Sequence, residues 1–465
     1  MSAPLLWILL PLLLAGLLFF LHDQKVIILI ACLFTFFLTL AAWLLPIETT
    51  LTVRGWSFTL APSIVILGRN LTLTSANRSF LVLIYGSSFF WFIPAASLQI
   101  ARRLVPFGLA ITSLLVAALA VDPPLYGILI VEMAVLLSVP LLTTPQEKHT
   151  KGVNRFLIFE TLAVPFILFS GWLLNGIGAN PGNLTTVLQA ATFLGLGFAF
   201  LLAIIPFYSW IPMLAEQEHP YVIGFLFWML PTATLFYGLG FLDRYTWLRD
   251  SANLPLILST AGALMVATGG ILSAFQRHLG RILGYAIIME TGFSLLAINP
   301  GSQTGLNVFL LLLVPRTLCI CLWALTLSIF KEQVPGLSFK DIKGMGHLWP
   351  LTSSALVLTN LALAGMPVLA GFPSHQAVWN AMARTSLPLT FWVLVGSLGL
   401  FLSGIHVLTA LSNAPKGTTW GIRETLTQRF LLVIGLLGLF VFGLFPQLSL
   451  LLWTKLPVIF EHLGQ

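Results

Sequence analysis

Six ionisable residues stand inside apolar runs, and all but one are of a type that takes up and returns protons. Glu132 lies in the run Tyr126–Leu142, Glu160 in Phe159-Glu160-Thr161, and Glu290 in Met289-Glu290-Thr291-Gly292-Phe293. Arg316 follows Pro315 in mid-run, and His375 and His406 complete the set. A charge in hydrocarbon is expensive, so such groups face a protein interior or water and pair with one another. Carboxyl and imidazole groups strung through a membrane suit a proton relay. Arg316 stays protonated and needs an opposite charge; Glu290 is the residue expected to pair with it and lock their helices together or carry transport. The sequence holds no CxxC pair, haem motif, P-loop or GxGxxG fingerprint, so no catalytic centre, bound metal or cofactor is expected.

What positions these residues follows from composition. Of 465 residues, 58% are hydrophobic and 8% charged, and the mean hydropathy is +0.98. A soluble domain carries about 25% charged residues, so a soluble enzyme is excluded. Fourteen apolar stretches are long enough to span a bilayer: 4–21, 25–46, 79–100, 104–121, 124–143, 156–176, 186–208, 221–242, 254–275, 282–299, 305–330, 350–371, 386–411 and 430–453. Lipid leaves the backbone no water to bond, so each is expected to be a helix, and the fold class is an all-α membrane protein. The first stretch lacks a basic leading segment and a small-residue cleavage site, and is read as a span. Segment 47–78 is less apolar, with strand-like alternation near Thr50–Thr59, and reads as an ordered surface loop or hairpin. Cys32, Cys319 and Cys321 sit within apolar runs and read as small core residues.

The net charge of +7 comes with no basic cluster or stacking platform for nucleic acid. Sorted by loop, fourteen Lys and Arg residues fall on one side of the membrane and seven on the other, with Arg316 inside a span. The first group includes Lys25, Arg102, Arg103, Lys148, Arg277, Lys343 and Lys416; the second includes Arg54, Arg244 and Lys455. The richer side is cytoplasmic, which puts both termini outside and reads Arg102/Arg103 and Arg277/His278 as anchors to lipid headgroups. Two spans carry helix breakers at comparable places, Pro206 in the seventh and Gly365-Met366-Pro367 in the twelfth. Five spans apart, they run in opposite directions, a pointer to an inverted repeat with an ion pathway at the midplane.

At these residues the chain resembles the antiporter-like membrane subunits of respiratory complex I and the related Mrp-type cation/proton antiporters. Pro206-Phe207-Tyr208-Ser209-Trp210-Ile211-Pro212 is similar to that family's PFHxWLP segment, and Leu279-Gly280-Arg281-Ile282-Leu283-Gly284-Tyr285 to LKRLLAYS. Met289–Phe293 stands where SHMGF is usual, and Leu361–Phe372 resembles LALAGLPPLxGF. The likeness extends over roughly 120–410. It implies fourteen helices with inverted repeats at helices 4–8 (104–242) and 9–13 (254–411), preceded by helices 1–3 (1–103, with loop 47–78) and followed by helix 14 and a tail (412–465).

The family's essential set is a Glu on helix 5, Lys on helices 7 and 8, a further His or Lys, and Lys or Glu on helix 12. Glu132 matches the first, Glu290 replaces a His, and His375 stands near the helix 12 position. The lysine positions of helices 7, 8 and 11 fall at Leu201, near Ala233 (between Thr232 and Thr234), and at Ile320. The resemblance therefore implies a non-redox membrane-arm subunit of a complex I-like NADH:quinone oxidoreductase in a bacterial cytoplasmic membrane. It would help move protons or Na⁺ beside other membrane and peripheral subunits, with pumping impaired or replaced by a spacer role for want of the lysines. An Mrp-type cation/proton antiporter subunit is the alternative.

Overall fold

The structure is a computed structural model that describes residues 2–53, 56–66, 68–98, 100–143, 151–179, 184–298, 303–413, 419–449, 459–460 and 462–463. Arg54, Lys148, Lys416 and Lys455 of the loop charges, and the last four residues of the expected fourteenth span, lie outside the described residues. The chain is an all-helical membrane protein with a small β appendage. A π-helical turn, Leu5–Leu9, leads into α1 (Leu10–Phe20), followed by α2 (Gln24–Leu44), α3 (Arg78–Phe92), α4 (Ala101–Ala120), α5 (Gly127–Leu142) and α6 (Lys151–Ala179). Next come α7 (Leu184–Leu201), α8 (Trp210–Gln217), α9 (Pro220–Arg244), the short α10 (Thr246–Arg249) and α11 (Leu254–Ala274). The rest are α12 (Leu279–Ala297), α13 (Gln303–Lys331), α14 (Pro350–Leu363), α15 (Phe372–Thr385), α16 (Leu387–Ser412) and α17 (Leu426–Leu444).

Among the described residues, eleven helices are long and apolar enough to cross a bilayer. Three shorter apolar helices, Leu5–Phe20, Thr185–Leu201 and Pro350–Leu363, stand at the first, seventh and twelfth expected places. The strands pair antiparallel, β1 (Thr50–Val53) with β2 (Trp56–Thr59) and β3 (Ser63–Ile66) with β4 (Arg69–Thr72), and β4 also pairs with β5 (Val121–Asp122).

Two expected boundaries are corrected. The seventh span, expected over 186–208, stops at Leu201, so Pro206 lies between helices rather than inside one. The twelfth, expected to end at 371, resumes as α15 and runs to Thr385. Pro373 sits in the first turn of α15, where a missing N–H costs nothing, and so starts the helix instead of ending it.

Both breaks are built alike. At the first, Ala203 N–H donates to the Phe200 carbonyl and Ile204 N–H to that of Ala199. At the second, Gly365 N–H donates to Ala362 and Met366 N–H to Leu361. These paired bonds close a helix by a left-handed residue, and Ala203 (φ 50°) and Gly365 (φ 82°) occupy that position. A proline follows within three residues in each case, Pro206 and Pro367, and cannot continue the helix. Elsewhere glycines let backbones meet: a Cβ at Gly270 of α11 would overlap the Gly396 carbonyl oxygen of α16.

Candidate functional site

In the second half of the chain, α12, α13 and the resumed helix α15 bring three ionisable side chains into one buried region. Glu290, Arg316 and His375 are 2%, 1% and 1% exposed. His375 Nε2 lies 3.0 Å from Glu290 Oε1. The ring stacks flat on Phe293, one turn along α12 from Glu290, with centroids 4.0 Å apart and planes at 11°. Packing fixes the imidazole plane, and the carboxylate fixes one of its nitrogens. The other nitrogen, Nδ1, is buried and has no hydrogen-bond partner among the described residues. It faces the helix break: a Cβ added to Gly365 would come within 3.1 Å of Nδ1 and 2.7 Å of the Trp379 ring. Gly365 is thus required both by its backbone angle and by the space its hydrogen leaves.

The expected direct pair between Glu290 and Arg316 does not form. Arg316 Nη1 donates to Ser294 Oγ at 3.1 Å, and Nη2 reaches Thr291 Oγ1 at 3.5 Å. Ser294 in turn donates to the Glu290 carbonyl. The arginine is therefore held by the hydroxyls of Ser294 and Thr291, while His375 takes the contact position on Glu290. Pro315 leaves this stretch of α13 without one N–H, next to the guanidinium. The result is a guanidinium, a carboxyl and an imidazole gathered in one buried region, with the imidazole bonded to the carboxyl.

In the first half, Glu132 of α5 is half-buried and Glu160 of α6 is 3% exposed. Thr161 Oγ1 donates to Glu132 Oε1 at 2.7 Å, and the two carboxylates lie within electrostatic reach of each other. Among the described residues neither forms an ion pair. Leu201, Ala233 and Ile320, at the family's lysine positions, are all buried apolar core. The break at 202–209 is surrounded by phenyl rings: Phe200 meets Phe207 at 4.4 Å and Phe166 at 5.5 Å, and Phe159 lies 6.0 Å from both Phe200 and Phe207.

His406 is exposed on α16 and belongs to a rim groove with Arg277 and Lys343, not to the Glu290 pair. Sequence reading missed Thr291, Phe293 and Ser294; the spacing of Phe293 and Ser294 from Glu290 (three and four along a helix) was the available signal. It also missed Asn360, fully buried on α14, which donates to Ser403 Oγ at 3.2 Å while its Oδ1 has no partner among the described residues. The two halves meet directly. Arg281 at the start of α12 bonds Glu216 at the end of α8 (2.6 Å), and Gly280 abuts the Ala215 carbonyl.

The pattern that defines the NADH:quinone oxidoreductase/Mrp antiporter transmembrane segment matches residues 156–403. NADH-quinone oxidoreductase subunit N 1 of Herpetosiphon aurantiacus is 24% identical over 261 residues, 51% of this chain and 53% of that protein. NAD(P)H-quinone oxidoreductase chain 4-3 of a Nostoc species is 23% identical over 289 residues, 58% of this chain and 51% of that one. The chain thus spans about half the length of these curated relatives. Solved structures match it almost end to end. A chain of the Mrp complex from a Dietzia species superposes with a TM-score of 0.81 at 16% identity, covering 99% of this chain and 97% of that one. A chain of Thermus thermophilus respiratory complex I does so at 0.78 and 18% identity, covering 99% and 100%. They establish the shared fold.

Proposed function

The chain belongs to the NADH:quinone oxidoreductase/Mrp antiporter transmembrane family, and from that premise we propose that it is a membrane-arm subunit of a complex I-like oxidoreductase. It contributes to ion translocation while electrons pass through other subunits. The observation that carries this reading is the buried Glu290–His375 pair facing the break between α14 and α15. An imidazole that gains a proton on Nδ1 can release one from Nε2 to Glu290, so the pair moves a proton across the width of one ring. A nitrogen–carboxylate pair at 3.0 Å suits a proton better than Na⁺, which takes oxygen ligands.

In this reading 254–411 is the active repeat and 104–242 its inverted counterpart. Glu132 and Glu160 are secondary groups, and the first repeat, without a buried imidazole–carboxyl pair among the described residues, acts as a spacer. The protein is a multi-pass membrane protein, and we place it in a cytoplasmic membrane with both termini outside, among other membrane and peripheral subunits. The test is His375→Gln in the assembled complex, reconstituted in vesicles. Glutamine keeps a bond to Glu290 but does not titrate. Proton movement per electron pair falls at least tenfold at this subunit's site if the pair is the relay; unchanged stoichiometry supports a pure spacer. Protein that purifies alone and exchanges Na⁺ for H⁺ in vesicles favours the antiporter alternative.

A further inference from the structure

A second built site lies at the rim where α11 and α16 end side by side, independent of the ion pathway. A groove of about 570 Å³ opens there, and Arg277, Lys343 and His406 line it together with Phe275, Leu402 and Asn413. We propose that this groove binds the phosphodiester headgroup of an anionic phospholipid, with an acyl chain laid along Phe275 and Leu402.

Backbone hydrogen bonds fix the chain on either side of the groove. The Phe339 N–H donates to the Arg277 carbonyl at 2.9 Å, and the Gly344 N–H donates to the Ala410 carbonyl of α16 at 3.0 Å. Segment 338–344 is therefore strapped to the linker after α11 and to α16, with Ile342 fully buried, and Lys343 and Arg277 line the same groove. Neither cation forms an ion pair among the described residues. Asp341, the nearby acid on the strap, is already engaged: its Oδ2 accepts from Ser338 N–H and Oγ at 3.0 and 2.6 Å, which holds its carboxyl below the usual range.

Two helix C-termini at this rim oppose an anion, each with about half a negative charge. Their end carbonyls are partly satisfied, since Gln276 Nε2 donates to Leu272 O and Thr409 Oγ1 to Ile405 and His406. Two full positive charges outweigh what remains. A guanidinium fork and an ammonium are the pair that grips a phosphate. Phe275 and Leu402 are 76% and 48% exposed, an apolar wall continuous with the lipid-facing side of α16. Basic pockets between transmembrane helices at a charged rim recognise such headgroups.

The test uses the full-length protein in detergent, titrated with phosphatidylglycerol or phosphatidylcholine and read by native mass spectrometry. The wild type should retain one phosphatidylglycerol in preference to phosphatidylcholine, undisplaced by millimolar inorganic phosphate. Arg277→Gln with Lys343→Gln should weaken binding about thirtyfold, each basic residue contributing roughly fivefold; Arg277→Lys with Lys343→Arg should keep it within about fivefold. If the double glutamine variant does not fold, Lys343→Gln alone, on an exposed side chain, should show the fivefold loss. Equal retention of the two lipids, wild-type binding by the glutamine variants, or displacement by inorganic phosphate overturns the assignment, the last in favour of a free-phosphate site.

Discussion

The two helix breaks share a backbone and differ in what fills them. Each closes α7 or α14 with the same pair of hydrogen bonds, a left-handed residue and a proline. Around the first, Phe159, Phe166, Phe200 and Phe207 pack ring against ring. Beside the second stand an imidazole, with Glu290 and Arg316 within reach. The same interruption of a helix is thus flanked by phenyl rings in one half and by ionisable side chains in the other. A break alone is scaffold; the chemistry depends on which side chains neighbouring helices aim at it. The α12 that carries Glu290 is also bonded to α8 through Arg281–Glu216, which ties the two halves together.

The sharpest way to break this contrast is to remove the cation. Arg316→Met should remove the buried cation bonded to Ser294 and Thr291 beside the Glu290–His375 pair and cost about 3 kcal/mol, read as a lowered denaturation midpoint of the protein in detergent; a similar change at exposed Arg102 should cost little. Next in size is the pair of closing residues. Gly365→Ala forces a side chain to φ 82° and against Trp379 and His375, and should destabilise by about 2 kcal/mol. Ala203→Gly relieves the same backbone strain at the first break and should gain up to about 1 kcal/mol. Opposite signs at equivalent positions would confirm that the two breaks share a backbone; equal signs would separate them.

Which of these features the sequence revealed depended on rarity. Glu290, Arg316 and His375 stood out because a charge or imidazole is scarce in apolar runs, and that reading needed no geometry. Their pairing was not legible. It turns on where α15 resumes, and Phe372-Pro373 reads equally as a stop or as a first turn. Once α15 is placed, His375 falls in the buried interior and takes the contact with Glu290. The orientation of Glu132 was hidden for another reason: α5 is apolar all round, so no periodicity says which face meets protein. The breaks were legible as prolines, but the hydrogen bonds that make them alike involve Ala203, an ordinary residue in an unusual conformation.

The smallest expected effect is a pH dependence outside the spans, where the two halves adjoin. His219 caps α9, its Nδ1 accepting from Tyr221 N–H at 3.3 Å, and burial, then nearby Lys331, lower its pKa to about 4. The folded value lies below the unfolded one of about 6.5, so the unfolded chain binds more protons between the two. Stability is therefore full above about pH 6.5 and lost as pH falls toward 4. His219→Gln should flatten that slope in a thermal-stability series without altering translocation.

The central claim, that the second repeat carries the proton and the first does not, is tested most directly by comparing Glu290→Gln with Glu132→Gln in the same reconstituted complex. Protons moved per electron pair should be measured for both. The account predicts at least a tenfold loss at this subunit's site for Glu290→Gln and less than a twofold change for Glu132→Gln. The reverse order, or equal losses from both, would contradict it.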